Sequence, residues 1–460
     1  MKKLNFLLIV LIFSLLSCTK DPLLMLIPKH KKTVLKNGLH VYFFEDHKLP
    51  TINFYFVTKT GTIHEPHNLK GLVSMTTSLL LEGTHNKSST ELAEALEFLG
   101  ASFSASSGYD FSSMNASALS KDTDKILELM SEIILTPTFP DKEITRLKEE
   151  TLASLKQIPD DAGGFASALF NLYVYNKHPY GTLLSGTSET LKEIQRKDIV
   201  EFYKNNFTPK NSILAVAGDF KTNELAQKLN HYFEKWENKK ITLPTINAAE
   251  DIKKNKIYVV EKSLLTQSQI RIGNIALPSG HPDFFSYLVT NHILGGAFTS
   301  ILNQKIRNDL GLTYSIHSSH TPSLHKGVWR ISTFTRNETL NKTLQEIKNI
   351  LDNFNTLVTQ EELEKAKADL LGAFVITFEN VDDFATQLMK LDIFNIKHDH
   401  LKYWRRKVQN ITLEDVRKIS KKYWNTDKLI ITILTDSPLK EEIIPFKGDL
   451  IQTHFQNIHF

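Results

Sequence analysis

The stretch DIVEFYKNNFTPKNSILAVAGDF, residues 198–220, has a counterpart in DVRKISKKYWNTDKLIITILTDS, residues 415–437. The two stretches align without a gap at an offset of 217 residues, and Asp219 near the end of the first matches Asp436 in the second. In each, apolar residues at helical spacing lead into a β-branched run that ends at the aspartate, which predicts a helix followed by a strand. The sequence therefore predicts a duplicated chain with one helix–strand unit of this kind in each half.

Around this repeated unit, each half opens with strand patterns and continues with helical patterns. An Asn37–Gly38 turn between two apolar runs predicts a β-hairpin in the first half. The runs at 256–262 and 268–277 predict strands at the start of the second half. This order predicts an α+β fold of two homologous domains, each a mainly antiparallel sheet with helices packed on one face. The segments with helical periodicity are 90–99, 123–134, 141–156, 340–354 and 360–371.

The predicted domain organisation follows from the repeat and from the composition of the segments around it. The stretch from 239 to 254, with Pro244 and many charged side chains, is typical of a linker. The predicted units are a signal segment (1–18), a tether (19–32), an N-terminal domain (33–238), the linker (239–254), a C-terminal domain (255–445) and a tail (446–460).

The first 18 residues, MKKLNFLLIVLIFSLLSC, have the pattern of an export signal. The apolar run from Leu7 to Leu16 is shorter than the ~20 residues that span a bilayer core. The motif LLSC resembles the lipobox of bacterial lipoproteins, which implies lipid attachment at Cys18 and thereby a membrane partner; a soluble exported protein cleaved near Cys18 is the alternative. Thr19 after the cysteine implies the outer membrane, so we expect an anchored lipoprotein on the periplasmic side of the cell envelope.

The composition of the chain excludes some classes of function. Cys18 is the only cysteine, so the chain forms no internal disulfide and its stability depends on its core. The formal net charge is only +4 over 460 residues, and no basic block carries interleaved aromatic residues. We therefore predict no nucleic-acid partner.

Several short stretches carry a resemblance to a known family. They are KNGLHVYFFED (36–46), LEGT (81–84) and LGGAFTSILNQKIRNDLGLTYSIHS (294–318). In this order they resemble the insulinase/pitrilysin family of zinc peptidases, in the branch of two-domain subunits similar to the mitochondrial processing peptidases. The resemblance covers nearly the whole chain after the tether and implies positions for the functional residues.

In active members of that family, a helix after a Gly-Leu pair carries the zinc motif H-x-x-E-H. The two His bind Zn²⁺ from one helix face, the Glu between them acts as general base, and a Glu further along the chain completes the ligands. Because Ser and Thr hydroxyls are not useful zinc ligands, the resemblance implies no cofactor and no catalysis in this chain alone. When the family's motif is aligned with this chain, its two His, its general-base Glu and the downstream Glu correspond to Ser74, Ser78, Thr77 and Ser154.

A displaced metal site is a remaining alternative. The segment IHEPHN offers His64, Glu65 and His67, and His85 follows the next helix. Pro66 predicts a loop, in which these side chains need not share a helix face. A serine nucleophile is equally unsupported, since the G-x-S-x-G context is missing. An active metallopeptidase with an unrecognised site is therefore the least favoured interpretation.

The second half keeps two residues that the resemblance associates with substrate. Arg307 and Tyr314 lie seven residues apart in KIRNDLGLTYS. In the two-subunit bacterial members of the family, one subunit carries zinc and the other carries this pair, which hydrogen-bonds the substrate backbone beside the metal. Arg offers a charged fork of donors and Tyr a phenol, which together can hold a peptide carbonyl in place. The alternative for each residue is structural: a solvated helix arginine and a packed strand tyrosine.

The favoured function is a non-catalytic subunit of a heterodimeric zinc endopeptidase, with peptide as substrate and zinc in a homologous partner subunit. The chain would close a chamber with that partner and contribute Arg307 and Tyr314 to substrate positioning. The second possibility is a peptide-binding or scaffold protein of the cell envelope without a peptidase partner. The strand at 101–107, ASFSASS, corresponds to the edge on which active family members receive substrate as an added strand.

Overall fold

The computed structural model describes residues 27–458, so the predicted signal segment, Cys18 and most of the tether lie outside the described part. Each half of the chain contains a six-stranded sheet. The strands of the first half are β1 (Lys31–Val34), β2 (His40–Glu45), β3 (Thr51–Thr58), β4 (Ser102–Ser107), β5 (Ser112–Leu119) and β6 (Ser212–Gly218). Those of the second half are β7 (Lys256–Glu261), β8 (Gln267–Ile275), β9 (Ile316–Thr321), β10 (Val328–Arg336), β11 (Ile430–Thr435) and β12 (Asp449–His454).

The helices connect and cover these strands. Those of the first half are α1 (Leu72–Leu79), α2 (Ser89–Phe98), α3 (Thr123–Leu135), α4 (Asp141–Gln157), α5 (Ala162–Tyr175), α6 (Ser188–Glu193), α7 (Arg196–Asn206) and α8 (Thr222–Tyr232). Those of the second half are α9 (Phe284–Asn291), α10 (Leu340–Leu357), α11 (Gln360–Ile376), α12 (Val381–Ile393), α13 (Asp399–Lys402), α14 (Trp404–Gln409) and α15 (Leu413–Tyr423). Two π-helical segments follow α9, at His292–Gly296 and Asn303–Asp309. Within residues 27–458, no helix is both long and apolar enough to cross a membrane.

The two sheets have corresponding strand orders, β1-β2-β6-β3-β5-β4 and β12-β7-β11-β8-β10-β9. Most neighbouring strands are antiparallel, and the parallel pairs are β2–β6, β7–β11 and β7–β12. Phe54 of β3 lies opposite Ala116 of β5 and Val216 of β6, so these buried side chains share the core face of the first sheet. The predicted α+β fold with two mainly antiparallel sheets is confirmed.

The repeated stretch forms the predicted helix–strand unit in both halves. α7 precedes β6 and α15 precedes β11, and both strands are buried along their whole length. Both helices begin with a capping box, in which the backbone N–H of Gln195 donates to Asp198 and that of Thr412 donates to Asp415. These carboxylates also favour the positive end of each helix dipole. The two homologous halves therefore share the same local design.

The prediction of helices on one face of each sheet is incomplete, because the halves exchange a helix. α12 of the second half packs on β2, β3 and β6 of the first sheet, where Phe384 and Leu388 share a buried cluster with Tyr42. α5 of the first half packs on β8 and β11 of the second sheet through Phe165 and Leu169. Each sheet is therefore covered by helices on both faces, and the core of each half includes side chains of the other.

The chain after residue 445 is not the predicted tail over its whole length. Phe446 is buried, and β12 pairs in parallel with β7 as the outermost strand of the second sheet. The prediction of a tail at 446–460 is therefore wrong over Asp449–His454. An edge strand of mixed polarity lacks the regular alternation from which strands are predicted. Between α8 and β7, residues 239–252 contain neither helix nor strand.

The predicted hairpin at the start of the first half is confirmed. β1 pairs antiparallel with β2, with Val34 opposite His40. Gly38 between them has a φ of 93°, in the left-handed region that glycine adopts without steric strain.

Candidate functional site

The helix that carries the degenerate zinc positions, α1, begins at a buried carboxylate. Glu65 accepts hydrogen bonds from the backbone N–H groups of Gly71 at 3.1 Å and Val73 at 2.7 Å. These N–H groups have no partner within the helix, so the carboxylate stabilises its N-terminus. Burial raises the pKa of Glu65 to about 8, although the two backbone donors and the Lys70 ammonium oppose that rise.

The four positions that correspond to the zinc motif hold hydroxyls that bond locally or face solvent. Thr77 is fully buried, and its Oγ1 donates to the backbone oxygen of Val73 at 2.8 Å. Ser74 is half-buried, and Ser78 lies one turn further along α1 and is exposed. Ser154 is exposed on α4, which packs against α1, and its Oγ donates to a backbone oxygen one turn earlier at 2.9 Å.

In the part of the chain that the structure describes, no other set of ligands takes the place of the missing motif. Among residues 27–458, no group of three or more His, Cys, Asp or Glu side chains could hold a metal ion. Proteins bind zinc through thiolate, imidazole and carboxylate groups, whereas the motif positions on α1 hold neutral hydroxyls, of which that of Thr77 is bonded within the helix. The residues present at this position do not fit a zinc ion.

The IHEPHN segment does not assemble the displaced site either. The carboxylate of Glu65 is engaged by the start of α1, and Nδ1 of His64 accepts a hydrogen bond from the Gly61 N–H at 3.1 Å. Burial lowers the pKa of His64 to about 4, so the imidazole is neutral at physiological pH. His67 and His85 are exposed on separate loops. These groups serve local structure or solvation and share no ligand position.

The second half brings Arg307 and Tyr314 together. Arg307 lies on the π-helical segment Asn303–Asp309, and Tyr314 lies on the loop before β9. The guanidinium carbon of Arg307 is 5.0 Å from the ring centroid of Tyr314 and 4.6 Å from that of Phe298. Tyr314 is 77% exposed and Phe298 67% exposed, so the cation is held between two aromatic rings at the surface.

The polar groups of this aromatic stack, defined as Phe298, Arg307 and Tyr314, are available to a ligand. Within residues 27–458, neither the guanidinium nor the phenol makes a hydrogen bond or an ion pair. Lys305 and Asp309 on the same segment instead pair with each other at 3.3 Å. The exposure of Tyr314 does not fit the alternative of a packed strand residue. The sequence analysis did not identify Phe298. The pattern that could have identified it is a large apolar residue directly after Gly-Gly-Ala.

Buried polar groups anchor the segments that carry the aromatic stack. The side-chain oxygen of Asn291 accepts hydrogen bonds from Nε1 of Trp329 at 2.9 Å and Oγ of Ser318 at 2.8 Å. The amide of Asn303 donates to the backbone oxygen of Ile316 at 2.8 Å. Both asparagines adjoin or belong to π-helical turns, a rare geometry that concentrates at functional sites. The stack therefore lies on a scaffold that is tied to β9 and β10.

The strand expected at 101–107 forms the edge of the first sheet. β4 pairs with β5 on one side and is the last strand in the sheet order. Ser102, Ser104 and Ser106 are exposed on one face of it. Its outer backbone groups have no strand partner among the described residues, and an extended peptide can pair with such an edge.

Two family models match this chain in succession. Residues 42–187 match the model described as Insulinase (Peptidase family M16), and residues 193–370 match the model described as Peptidase M16 inactive domain. The first match contains α1, and the second contains the aromatic stack.

Similar proteins align over most of their length. The uncharacterized zinc protease YmxG of Bacillus subtilis is 22% identical over 409 residues, which are 88% of this chain and 98% of the relative. The mitochondrial-processing peptidase subunit beta of Bos taurus is 22% identical over 417 residues, which are 86% of this chain and 82% of the relative. A solved peptidase M16 inactive domain from Pseudomonas fluorescens superimposes with a TM-score of 0.82 at 24% identity, over 90% of this chain and all of that one. A protease structure from Helicobacter pylori gives the same score at 21% identity, over 89% of this chain and 100% of that chain. At these identities, the structural likeness shows the shared fold.

Proposed function

The chain belongs to the insulinase family, peptidase family M16, and we propose that it is the non-catalytic subunit of a two-chain zinc endopeptidase. A contrast between the halves carries the proposal. The first half has hydroxyls at every position of the zinc motif, with Thr77 bonded into its own helix, whereas Arg307 and Tyr314 in the second half are stacked and have free donors. Support also comes from the bovine relative, which is named as one subunit of a peptidase.

In this proposal, the chain and a zinc-bearing homologous subunit enclose an extended peptide between them. The Arg307 guanidinium donates to a backbone carbonyl of the peptide, and the Tyr314 hydroxyl donates to a neighbouring acceptor. Because the rings of Phe298 and Tyr314 already hold the guanidinium, little side-chain freedom is lost on binding. This chain offers no general base or metal at α1, so its contribution to the reaction is positioning.

Reconstitution of the two chains tests the proposal. A soluble form without the signal segment and Cys18, residues 19–460, is purified alone and together with the homologous chain of the same genome that keeps H-x-x-E-H. We expect a stable complex by size-exclusion chromatography and cleavage of a fluorogenic peptide only in the mixture. Elemental analysis is expected to find zinc in the partner and none bound to this chain.

The catalytic partner in this experiment has a matched control. A partner whose motif Glu is replaced by Gln is expected to form the complex and to remain inactive. A homologue that works unaided and forms no complex would contradict the subunit proposal and favour the peptide-binding or scaffold function. Cleavage by this chain alone, with bound metal, would instead support an unrecognised active site.

We also propose that the chain is anchored by a lipid at Cys18 on the periplasmic side of the outer membrane. The support is LLSC followed by Thr19. Cys18→Ser is expected to abolish labelling by radioactive palmitate and to move the protein out of the membrane fraction, because one lipidated end is an anchor and not a span. Ser17→Ala replaces one small residue beside the cysteine with another and is the control. It should leave the palmitate labelling and the membrane association unchanged. Wild-type protein found only in the soluble fraction would favour the soluble exported alternative.

A further inference from the structure

A cavity of about 620 Å³ lies where the two halves of the chain meet the predicted linker. Its walls come from residues 173–179 at the end of α5, from Lys256 and Tyr258 of β7, from Ile430 of β11 and from residues 245–254, which we call the linker segment. Small-molecule sites measure about 300–1,000 Å³ and occur preferentially at domain interfaces. This linker cavity therefore has the size and the place of a ligand site, and it shares no residue with α1 or the aromatic stack.

Two stacked tyrosines, one from each half, form an aromatic wall of the linker cavity. The rings of Tyr173 and Tyr258 have centroids 3.8 Å apart and planes 5° apart. Both residues are half-buried, and within residues 27–458 neither phenol makes a hydrogen bond. Burial raises the pKa of Tyr173 to about 12, so its phenol is a neutral donor at physiological pH. Aromatic rings in a cavity wall favour a ligand with a flat ring, which can pack against them edge-to-face or offset.

The linker segment is held in place against this wall. Nδ1 of His178 accepts a hydrogen bond from the Tyr180 N–H at 3.2 Å, so Nε2 carries the proton and donates to the backbone oxygen of Asn247 at 3.0 Å. Burial also lowers the pKa of His178, so this imidazole adds no positive charge to the cavity. Ala249 is buried in one apolar cluster with Val174 of α5. The cavity is therefore bounded by fixed contacts on the side of the linker.

The lining of the linker cavity has an excess of positive charge. Two of its charged side chains are paired, Asp251 with Lys326 at 2.7 Å and Lys254 with Asp449 at 2.7 Å. Three lysines of the lining make no ion pair within residues 27–458, and they are Lys177, Lys253 and Lys256. Glu250 is the one unpaired carboxylate of the lining. A concave site with charges of one sign and low-dielectric walls concentrates ligands of the opposite sign.

One of these lysines lies beside the aromatic wall. Lys256 and Tyr258 are two residues apart on β7, and alternate side chains of a strand project from the same face. The tyrosine of this pair stacks on α5, so the lysine extends toward the same side of the sheet. A ring packed on the tyrosines can therefore place a charged substituent near an ammonium group. This combination of a flat apolar wall and unpaired cations defines the ligand by its chemistry.

We propose that the linker cavity binds a small aromatic anion, with its ring against Tyr173 and Tyr258 and its charged group beside Lys177 and Lys256. A lysine ammonium is a compact point charge that pairs with either a carboxylate or a phosphate. The site goes beyond the proposed subunit function and does not depend on it. Because its walls come from both halves, the bound ligand stabilises their junction.

Isothermal titration calorimetry with the soluble form, residues 19–460, tests this proposal. The four probes are 2-naphthoate, 2-naphthyl phosphate, the neutral 2-naphthamide and inorganic phosphate, which has the charge without the ring. We expect at least one naphthyl anion to bind about tenfold more tightly than both 2-naphthamide and inorganic phosphate. Its advantage over the amide should be lost at high salt. The tighter of the two naphthyl anions identifies the charged group that the site prefers.

Variants assign the binding to the linker cavity. Lys177→Met and Lys256→Met each remove one exposed charge and are expected to weaken the naphthyl anion about fivefold while leaving 2-naphthamide unchanged. Tyr258→Leu removes one ring and should weaken every naphthyl probe. Lys36→Met is the matched control, because Lys36 is an exposed lysine without an ion pair within residues 27–458 and lies outside the lining. Its affinities should match the wild type.

Equal affinity for the charged and neutral naphthyl probes, or no binding of any of them, would overturn the proposal. Anion binding that persists in the double variant Lys177→Met/Lys256→Met would place the ligand elsewhere and would overturn it too, as would an equal loss in Lys36→Met. The two lysine side chains are exposed, so their removal should leave the melting temperature unchanged and keep the test decisive even where Tyr258→Leu does not fold. The assay uses neither the partner nor cleavage, so its failure leaves the subunit function intact.

Discussion

Replacing Arg307 with alanine is expected to lower kcat/KM of the two-chain enzyme by about 100-fold, the scale on which misplacing a bound substrate slows an enzyme. The substitution removes the fork of donors between Phe298 and Tyr314 and leaves the peptide carbonyl without its charge-assisted hydrogen bonds. Initial rates with a fluorogenic peptide over a range of concentrations separate kcat from KM. A positioning role predicts a loss in kcat as well as a rise in KM.

Two further variants show whether this loss comes from substrate positioning or from assembly. Tyr314→Phe keeps the ring that stacks on Arg307 and removes the hydroxyl, so about a tenfold loss is expected, which corresponds to one hydrogen bond. Lys305→Ala removes a neighbouring cation that already pairs with Asp309, and its activity should match the wild type. Complex formation should be unchanged in all three. An equal loss in Lys305→Ala, or full activity of Arg307→Ala, would rule out the positioning role.

The Glu65→Gln variant is expected to remove a pH dependence of stability on the order of 3 kcal/mol between pH 5 and pH 8. Burial raises the pKa of Glu65 from 4.5 to about 8 in the folded chain. The folded state therefore binds this proton more tightly than the unfolded state. Its contribution to stability is present below the unfolded pKa and is lost as the pH rises through the folded one. Wild type should lose more free energy of unfolding than the variant over this range.

Urea unfolding at pH 5, 6, 7 and 8 measures this difference directly. Glu91→Gln is the matched control, because Glu91 also accepts a backbone N–H at a helix start, from Ser88 at 2.8 Å, but is exposed. Its pKa is lowered by the backbone and hydroxyl donors of Ser88, so its contribution varies only at acidic pH. The difference in free energy of unfolding between Glu91→Gln and wild type should be the same at all four pH values. A parallel pH profile for Glu65→Gln would contradict a raised pKa at α1.

Local features of the fold were predictable because their causes are local. The Asn37–Gly38 hairpin needs only a residue that tolerates a positive φ between two apolar runs. The helix–strand units need only helical spacing, a capping carboxylate and a β-branched run. The exchange of α5 and α12 between the halves was not predictable, since an amphipathic helix shows that one face is buried but not which sheet buries it.

The functional site likewise has one part that could be predicted from the sequence and one part that could not. The hydroxyls at the positions of the zinc motif and the spacing of Arg307 and Tyr314 are visible in the sequence, because the chemistry of a side chain does not depend on the fold. The contact of Phe298 with Arg307 depends on where π-helical turns place a side chain, and no periodicity encodes that placement.

By itself, the sequence determined that this chain is duplicated, that it is built from two mainly antiparallel sheets with helices, and that α1 lacks the groups with which proteins bind zinc. Only the tertiary structure decided which helices cover which sheet and that Glu65 is buried at the start of α1. The physical reason is that burial and charge pairing arise between segments far apart in the chain. Propensity and periodicity, by contrast, act within one segment.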